Sequence, residues 1–289
     1  MKKSILVNSY RKSIKGTIYK FLMGSLPAFV CLLLLGKTFL ETSILNSVLI
    51  GLGILSIIAL IRFFYFIFQE TIAFLKFKYT ESVYGDALIL LKDSFAKAHH
   101  YRKTPGHQDP EFMDSLINFC DNLKKVFDNI TKGNCSVSVK VPIQMENVDE
   151  KASMQNLARD PKNRLKRDTT EYQNTNHTII GNTAFHKTLN NVLKNNSLKY
   201  YLNNCISETA DYENTSKDSN ADGIIHYESE LVYPIIPIVN DDETTVDCKG
   251  FLCVDCDRKN AFDDKYSVAI IEGVADGLYD LFNERSKQI

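Results

Sequence analysis

Two uncharged apolar runs, residues 21–36 and 42–61, stand close together near the N-terminus, and no further apolar run of that length follows in the 289-residue chain. A helix of roughly 20 apolar residues crosses a bilayer core of about 30 Å, so the pair is expected to form a two-helix membrane hairpin. The remainder is polar and globular in composition, so one soluble domain is expected to hang from the hairpin. No separate output enzyme is expected after it, and whatever that domain detects has to be expressed through the membrane helices or a partner.

Charge sets the orientation. The first twenty residues carry Lys2, Lys3, Arg11, Lys12, Lys15 and Lys20 and no acid, whereas the connection between the runs offers only Lys37 and Glu41. By the positive-inside rule both termini are expected in the cytoplasm and only the hairpin tip outside, a multi-pass arrangement in a cell inner membrane. A cleaved signal peptide is the competing reading of the first run, and the second run that follows almost at once argues against it. A net charge of −1 points to neither nucleic acid nor an acidic substrate as the partner of the whole chain.

Past the hairpin, 69–104 reads as one stalk helix. Phe77, Tyr84, Leu91 and Ala98 recur every seven residues, with Phe74, Leu88 and Phe95 between them and Glu81 breaking the series. Such a stripe suits self-association through Phe77, Tyr84, Leu88, Leu91 and Phe95, or a helix folded back on its own domain. Arg62 is the sharpest residue near the membrane. It snorkels at the interface if the second helix ends near Ile61, and it must face a bundle interior or a pore if the bilayer extends further.

Within 109–289 the periods alternate between helix and strand. Asp109-Pro110-Glu111 is a helix start, followed by one apolar face through Phe112, Leu116, Phe119, Leu123, Val126 and Phe127. Cys135 to Ile143 alternates as a strand, and a second strand and turn rich in Arg and Lys is expected within 156–167. Residues 182–195 read as a helix, 229–239 as extended, 250–255 as a strand, and 265–284 as a closing amphipathic helix. The fold class is therefore α+β, with domains at 1–20 (basic N-terminus), 21–68 (hairpin), 69–104 (stalk) and 109–289 (cytoplasmic domain).

Three stretches carry a family resemblance. Glu230-Leu-Val-Tyr-Pro-Ile-Ile-Pro237, Lys249-Gly-Phe-Leu-Cys-Val-Asp-Cys256 and Asn260-Ala-Phe-Asp-Asp264 resemble the closing strands and final helix cap of GAF domains. The resemblance implies an antiparallel sheet with helices packed on it and a small-ligand sensory role, and it leaves the ligand open. The hairpin joined to such a domain is also similar in architecture to the membrane effectors of bacterial anti-phage signalling. That analogy implies a nucleotide-type ligand and an oligomeric pore or membrane lesion. A scaffold that tethers a cytoplasmic signalling partner is the alternative.

The candidate chemistry is sparse. Arg159, Lys162, Arg164, Lys166 and Arg167 suit either phosphate groups or an anionic membrane face. Asn182, Thr183 and His186 open a helix whose free N–H groups suit an anion, although an ordinary N-cap accounts for the first two. Asp241, Asp242, Glu243 and Asp247 have turn spacing rather than that of a calcium loop. Strand alternation sends Cys253 and Cys256 to opposite faces, which argues against a shared metal, and seven cysteines make no disulfide framework. With no nucleophile motif and no phosphate-cradling glycine loop, the chain is expected to be a non-enzyme without metal or cofactor.

Overall fold

The computed structural model describes residues 7, 9–12, 15, 44–103, 109–143, 152–163, 177–194, 198–215, 217, 223–237 and 247–286. The first apolar run, Arg164, Lys166, Arg167 and residues 241–246 lie outside them. The chain divides into two compact units, Met1–Ser82 and Val83–Ile289.

Helix α1 (Ile44–Lys103) contains most of the second apolar run and all but the last residue of the expected stalk in one continuous helix. Among the described residues it is the helix long and apolar enough to cross a membrane, counted from Ser56. In the first unit, Arg62 is half-exposed, with its guanidinium 5.8 Å from the centre of the Phe66 ring one turn on. Lys12 pairs with Glu70.

The second unit is built on a six-stranded antiparallel sheet in the order β3-β2-β1-β6-β5-β4. Its strands are β1 (Cys135–Pro142), β2 (Ser153–Arg159), β3 (His177–Thr178), β4 (Tyr201–Asn203), β5 (Ser229–Pro234) and β6 (Phe251–Cys256). The helices are α2 (Asp109–Thr131), α3 (Thr183–Leu193) and α4 (Tyr266–Ser286). This is the antiparallel sheet with packed helices that the resemblance implies. The short β3 and β4 are additions to the sequence reading.

One face of the sheet is almost wholly apolar. Cys135, Val137, Val139 and Val141 of β1 meet Leu231, Tyr233, Leu252, Val254 and Cys256 beneath the apolar stripes of α2 and α4. Phe127 meets Phe262 edge-on at 5.5 Å, and Phe112 meets Phe282 at 5.6 Å. The other face is covered by α3, whose Ala184, Phe185, Leu189 and Val192 pack on Met154, Val232, Phe251 and Cys253. Cys253 and Cys256 fall in these two different layers, as strand alternation requires.

Gly250 opens β6 at φ +152°, and a Cβ there would lie 2.1 Å from the Lys140 carbonyl oxygen. Only glycine lets β6 enter so close to β1.

The α1 segment belonging to this unit does not leave its whole heptad stripe for another subunit. Phe95 meets Phe119 edge-on at 5.2 Å, Leu91 packs against the apolar core, Ala98 and Tyr101 are part of it, and Tyr84 lies 5.6 Å from Tyr266. These contacts correspond to the folded-back alternative for that stretch. Phe77 and Leu88 point outward, 64% and 71% exposed. Helix-period hydrophobicity cannot tell the two uses apart, because both bury the same stripe.

Candidate functional site

The α3-covered face carries a second pattern. Alternation places Ser136, Ser138 and Lys140 of β1 on it, opposite the valines of the apolar face. The same parity aims Glu230 of β5 and Asp255 of β6 into it. In a sheet with one open face such residues would meet water. Here the start of α3 and the chain around Tyr212, Asn214 and Tyr227 cover them, so Lys140, Arg159 and Glu230 are all buried.

A bulge brings in Arg159. The β1–β2 pairing slips between Val139 and Lys140, where successive partners are Ala158 and Asn156 and Leu157 is left over. Met154 faces α3, and unbroken alternation from it would put Ala158 on that face and Arg159 on the other. The extra residue reverses the parity, so Ala158 joins the apolar layer and Arg159 turns toward the polar one.

Ser138, Lys140, Arg159, Asn182, Phe185 and Asn214, with Tyr227, Glu230, Cys253 and Asp255, enclose about 20 Å³ of free space, enough for roughly one water. Glu230 and Asp255 are directly opposite partners on β5 and β6. Two carboxylates so placed repel each other, and burying Glu230 with Asp255 half-buried beside it costs free energy that an apolar pair would not. Burial first, and then the Asp255 charge, push Glu230 up to about 8. At neutral pH Glu230 therefore keeps its proton beside Asp255.

Hydroxyls and an amide surround the pair. Tyr212 Oη donates to Glu230 Oε2 at 2.6 Å and sits 3.1 Å from Tyr227 Oη, while Asn214 Nδ2 donates to both phenols, at 3.1 and 2.6 Å. Burial and the nearby Glu230 carboxyl hold both tyrosine hydroxyls well above their ordinary range, so they remain donors. On the basic side, Arg159 Nη1 donates to Ser136 Oγ at 3.4 Å, and Lys140 Nζ lies 5.8 Å from the centre of the Phe185 ring. That ring stacks on Phe251 at 4.8 Å, which places a flat apolar wall beside the charged groups.

Of the residues expected to bind a ligand, the fold brings two to this cavity. Arg159 lines it, and so does Asn182, whose side chain also caps α3 by accepting from the Phe185 N–H at 3.2 Å. Thr183 instead ties α3 to the chain beside it, exchanging hydrogen bonds with the Glu213 backbone at 2.9 Å. His186 is exposed and meets Asn190 at 3.0 Å. Lys162 bonds Asn134 at 3.0 Å at the surface. Arg164 and Arg167 are outside the described residues.

Lys140, Tyr212, Tyr227, Glu230 and Asp255 were not singled out by sequence reasoning. The signal available was a lysine and two acids at alternating positions inside strands. That pattern ordinarily marks a solvated face.

Solved structures similar to this chain include GAF domains and related enzymes. A type II free methionine-R-sulfoxide reductase from Thermoplasma acidophilum is 18% identical, with 60% of this chain and 93% of that one aligned and a TM-score of 0.38. A GAF domain structure is 12% identical over 67% of this chain and 88% of its own, with a TM-score of 0.44. The GAF domain of an Acinetobacter phosphoenolpyruvate-protein phosphotransferase is 12% identical over 68% and 95%, with a TM-score of 0.42. No protein-family model matches the sequence, and no curated protein matches it.

Proposed function

We propose that this chain is a membrane-anchored ligand sensor whose second unit binds a small anionic ligand in the polar cavity beneath α3. The observation that carries the reading is the cluster of buried Lys140, Arg159 and Glu230 with half-buried Asp255 around one cavity, an arrangement that well-packed apolar residues often match or exceed in stability. With Glu230 protonated, two basic side chains face one remaining acid. That excess of positive charge suits one anionic group, while Asp255 and the hydroxyls suit an amino or amide donor on the same ligand.

A nucleotide-type ligand meets both demands with its phosphate and the amino group of its base, and Phe185 offers a flat neighbour for that base. The free space holds only a water, so ligand enters as Tyr227 and Phe185 shift outward. Chemistry on the ligand is not part of the reading, and the chain acts as a binding module rather than an enzyme.

For output, the reading places the hairpin in a cell inner membrane with both termini cytoplasmic. Several copies gather through outward residues such as Phe77 and Leu88, so that ligand controls a pore or lesion, as in anti-phage effectors. A hairpin of two helices lacks the surface to line a water path alone, so this output requires a homo-oligomer. The alternative, a tether for a cytoplasmic signalling partner, draws on the same exposed side chains and involves no leak.

Thermal unfolding of the detergent-solubilised full chain against a panel of mononucleotides and cyclic nucleotides tests the ligand. At least one should raise the melting temperature, and Lys140→Met and Arg159→Met should each abolish the rise. No response to the panel, or a response that survives both substitutions, overturns the assignment. Dye leakage from vesicles holding the protein separates the two outputs.

A further inference from the structure

Cys135 and Cys256 are directly opposite partners at the end of the β1–β6 pairing, on the apolar face and away from the ligand cavity. The Cys135 N–H donates to Asp128 Oδ1 at 2.7 Å and its carbonyl accepts from Asn163 at 3.3 Å, while the Cys256 carbonyl accepts from the Glu228 N–H at 2.8 Å. With these backbone groups directed elsewhere, the two residues form a non-hydrogen-bonded pair. In such pairs the Cα atoms are about 4.5 Å apart and the side chains are closest. That separation falls within the range of roughly 4.4–6.8 Å that a disulfide spans.

Both sulfurs meet Thr131 Oγ1, at 3.4 Å from Cys135 Sγ and 3.7 Å from Cys256 Sγ. Both cysteines are buried, and the residues over Cys256 include Gly133, where a Cβ would come within 2.5 Å of its Sγ, while the flanking Lys132 and Asn134 are exposed. Local opening of this surface turn is the route by which a small oxidant reaches the pair.

We propose that Cys135 and Cys256 form an oxidation site that hydroperoxides convert to a cross-strand disulfide, reversible by thiol reductants, joining β1 to β6. Cys256 is the attacking sulfur, because the Cys135 S–H donates to it and favours its thiolate, lowering it to about 7. The thiolate takes the outer oxygen of the hydroperoxide, the O–O bond breaks, and the leaving alkoxide or hydroxide picks up a proton. The product at Cys256 is a sulfenic acid. Cys135 then loses its proton and attacks that sulfur, the S–O bond breaks, and water leaves. Two thiols and one hydroperoxide become a disulfide, an alcohol (water from hydrogen peroxide) and a water. Cys120, Cys248 and Cys253 are buried thiols pushed up by burial, Cys248 to about 12, and they serve as internal references.

The test uses the pre-reduced full chain in detergent, treated with hydrogen peroxide in a few-fold molar excess, then denatured, alkylated and mapped by peptide mass spectrometry. The expected result is a Cys135–Cys256 cross-link that dithiothreitol removes, with Cys120, Cys248 and Cys253 still fully alkylated. Cys135→Ser should arrest the sequence at a sulfenic acid on Cys256 that dimedone traps, and Cys256→Ser should abolish the cross-link. Both peptides remaining alkylated while another cysteine is oxidised overturns the proposal. The wild-type mapping decides it even if a serine variant fails to fold.

Discussion

The two faces of one sheet obey opposite rules. On the face beneath α2 and α4, alternate strand residues are mostly valine, leucine, tyrosine or cysteine, and aromatic edges close the gaps between helices. On the face beneath α3, the same strands present Lys140, Glu230 and Ser138, all buried, with Asp255 and Ser136 half-buried beside them. The first face explains why the unit folds, since each buried apolar side chain contributes roughly 1.5–3 kcal/mol. On the second, the polar patch beside the apolar cluster of α3 costs folding free energy, and the proposed ligand site accounts for its presence. Substitutions on one face should therefore read out as stability, and on the other as binding and pH dependence.

The largest effect belongs to the apolar face. Phe127→Ala removes a fully buried ring that contacts Phe262 and is expected to cost about 3–5 kcal/mol, and Leu278→Ala about 2–5 kcal/mol. Thermal unfolding in detergent measures both. A loss below about half a kcal/mol at Leu278 would mean that α4 does not lid the sheet and that the contrast between faces fails.

Next comes the point where the strands of both faces are brought together. Gly250→Ala forces a Cβ into the Lys140 carbonyl and is expected to cost roughly 2–4 kcal/mol. Because Lys140 is displaced with its own backbone, ligand binding should fall as well. Full ligand affinity in a destabilised Gly250→Ala chain would separate the entry to β6 from the cavity.

The polar face should answer to pH. Glu230 ionises near its ordinary value of 4.5 in the unfolded chain and only near about 8 when folded. Between these limits the folded state keeps a proton that the unfolded state has lost, so stability falls as pH rises and levels off above the folded value. Glu230→Gln should flatten that slope and leave the unit at least as stable at pH of about 8. An unchanged slope in the variant would place the titrating group elsewhere. Apolar-face variants should shift the whole curve without altering its shape.

How much of this was readable from sequence follows the same division. The apolar stripes of α2 and α4 and the alternation of β1 and β6 are periodic, and the elements appear within a few residues of where the pattern puts them. β3 and β4 have two and three residues, too short to hold a period. The cavity was legible only at Arg159 and Asn182. Lys140, Glu230 and Asp255 sit at positions that a strand normally gives to water, and nothing local says that α3 will return to cover them. Arg159 was picked for its basic neighbours, yet it reaches the cavity through a bulge at Leu157 that leaves no mark on composition.

The smallest expected effect tests where the apolar layer ends. Gly277 of α4 has no Cβ where one would lie 2.4 Å from the Phe95 ring, and Phe95 is the α1 residue whose edge meets Phe119. The contact makes this stretch of α1 a third member of the helical layer. Phe95 remains 37% exposed, so its ring can swing outward to accommodate a methyl group. Gly277→Ala also gains helix propensity, on the order of 0.8–1 kcal/mol, which offsets part of the lost contact. The net cost is therefore expected to be about 1 kcal/mol or less, with the ring contact broken. Hydrogen exchange should show the change as faster exchange of α1 amides around Leu91 and Phe95, with protection of the sheet amides retained. Equal loss of protection in the sheet would mean that α1, α2 and α4 open together as one cooperative layer. Unchanged protection in α1 would mean that Phe95 does not hold the helix to its domain.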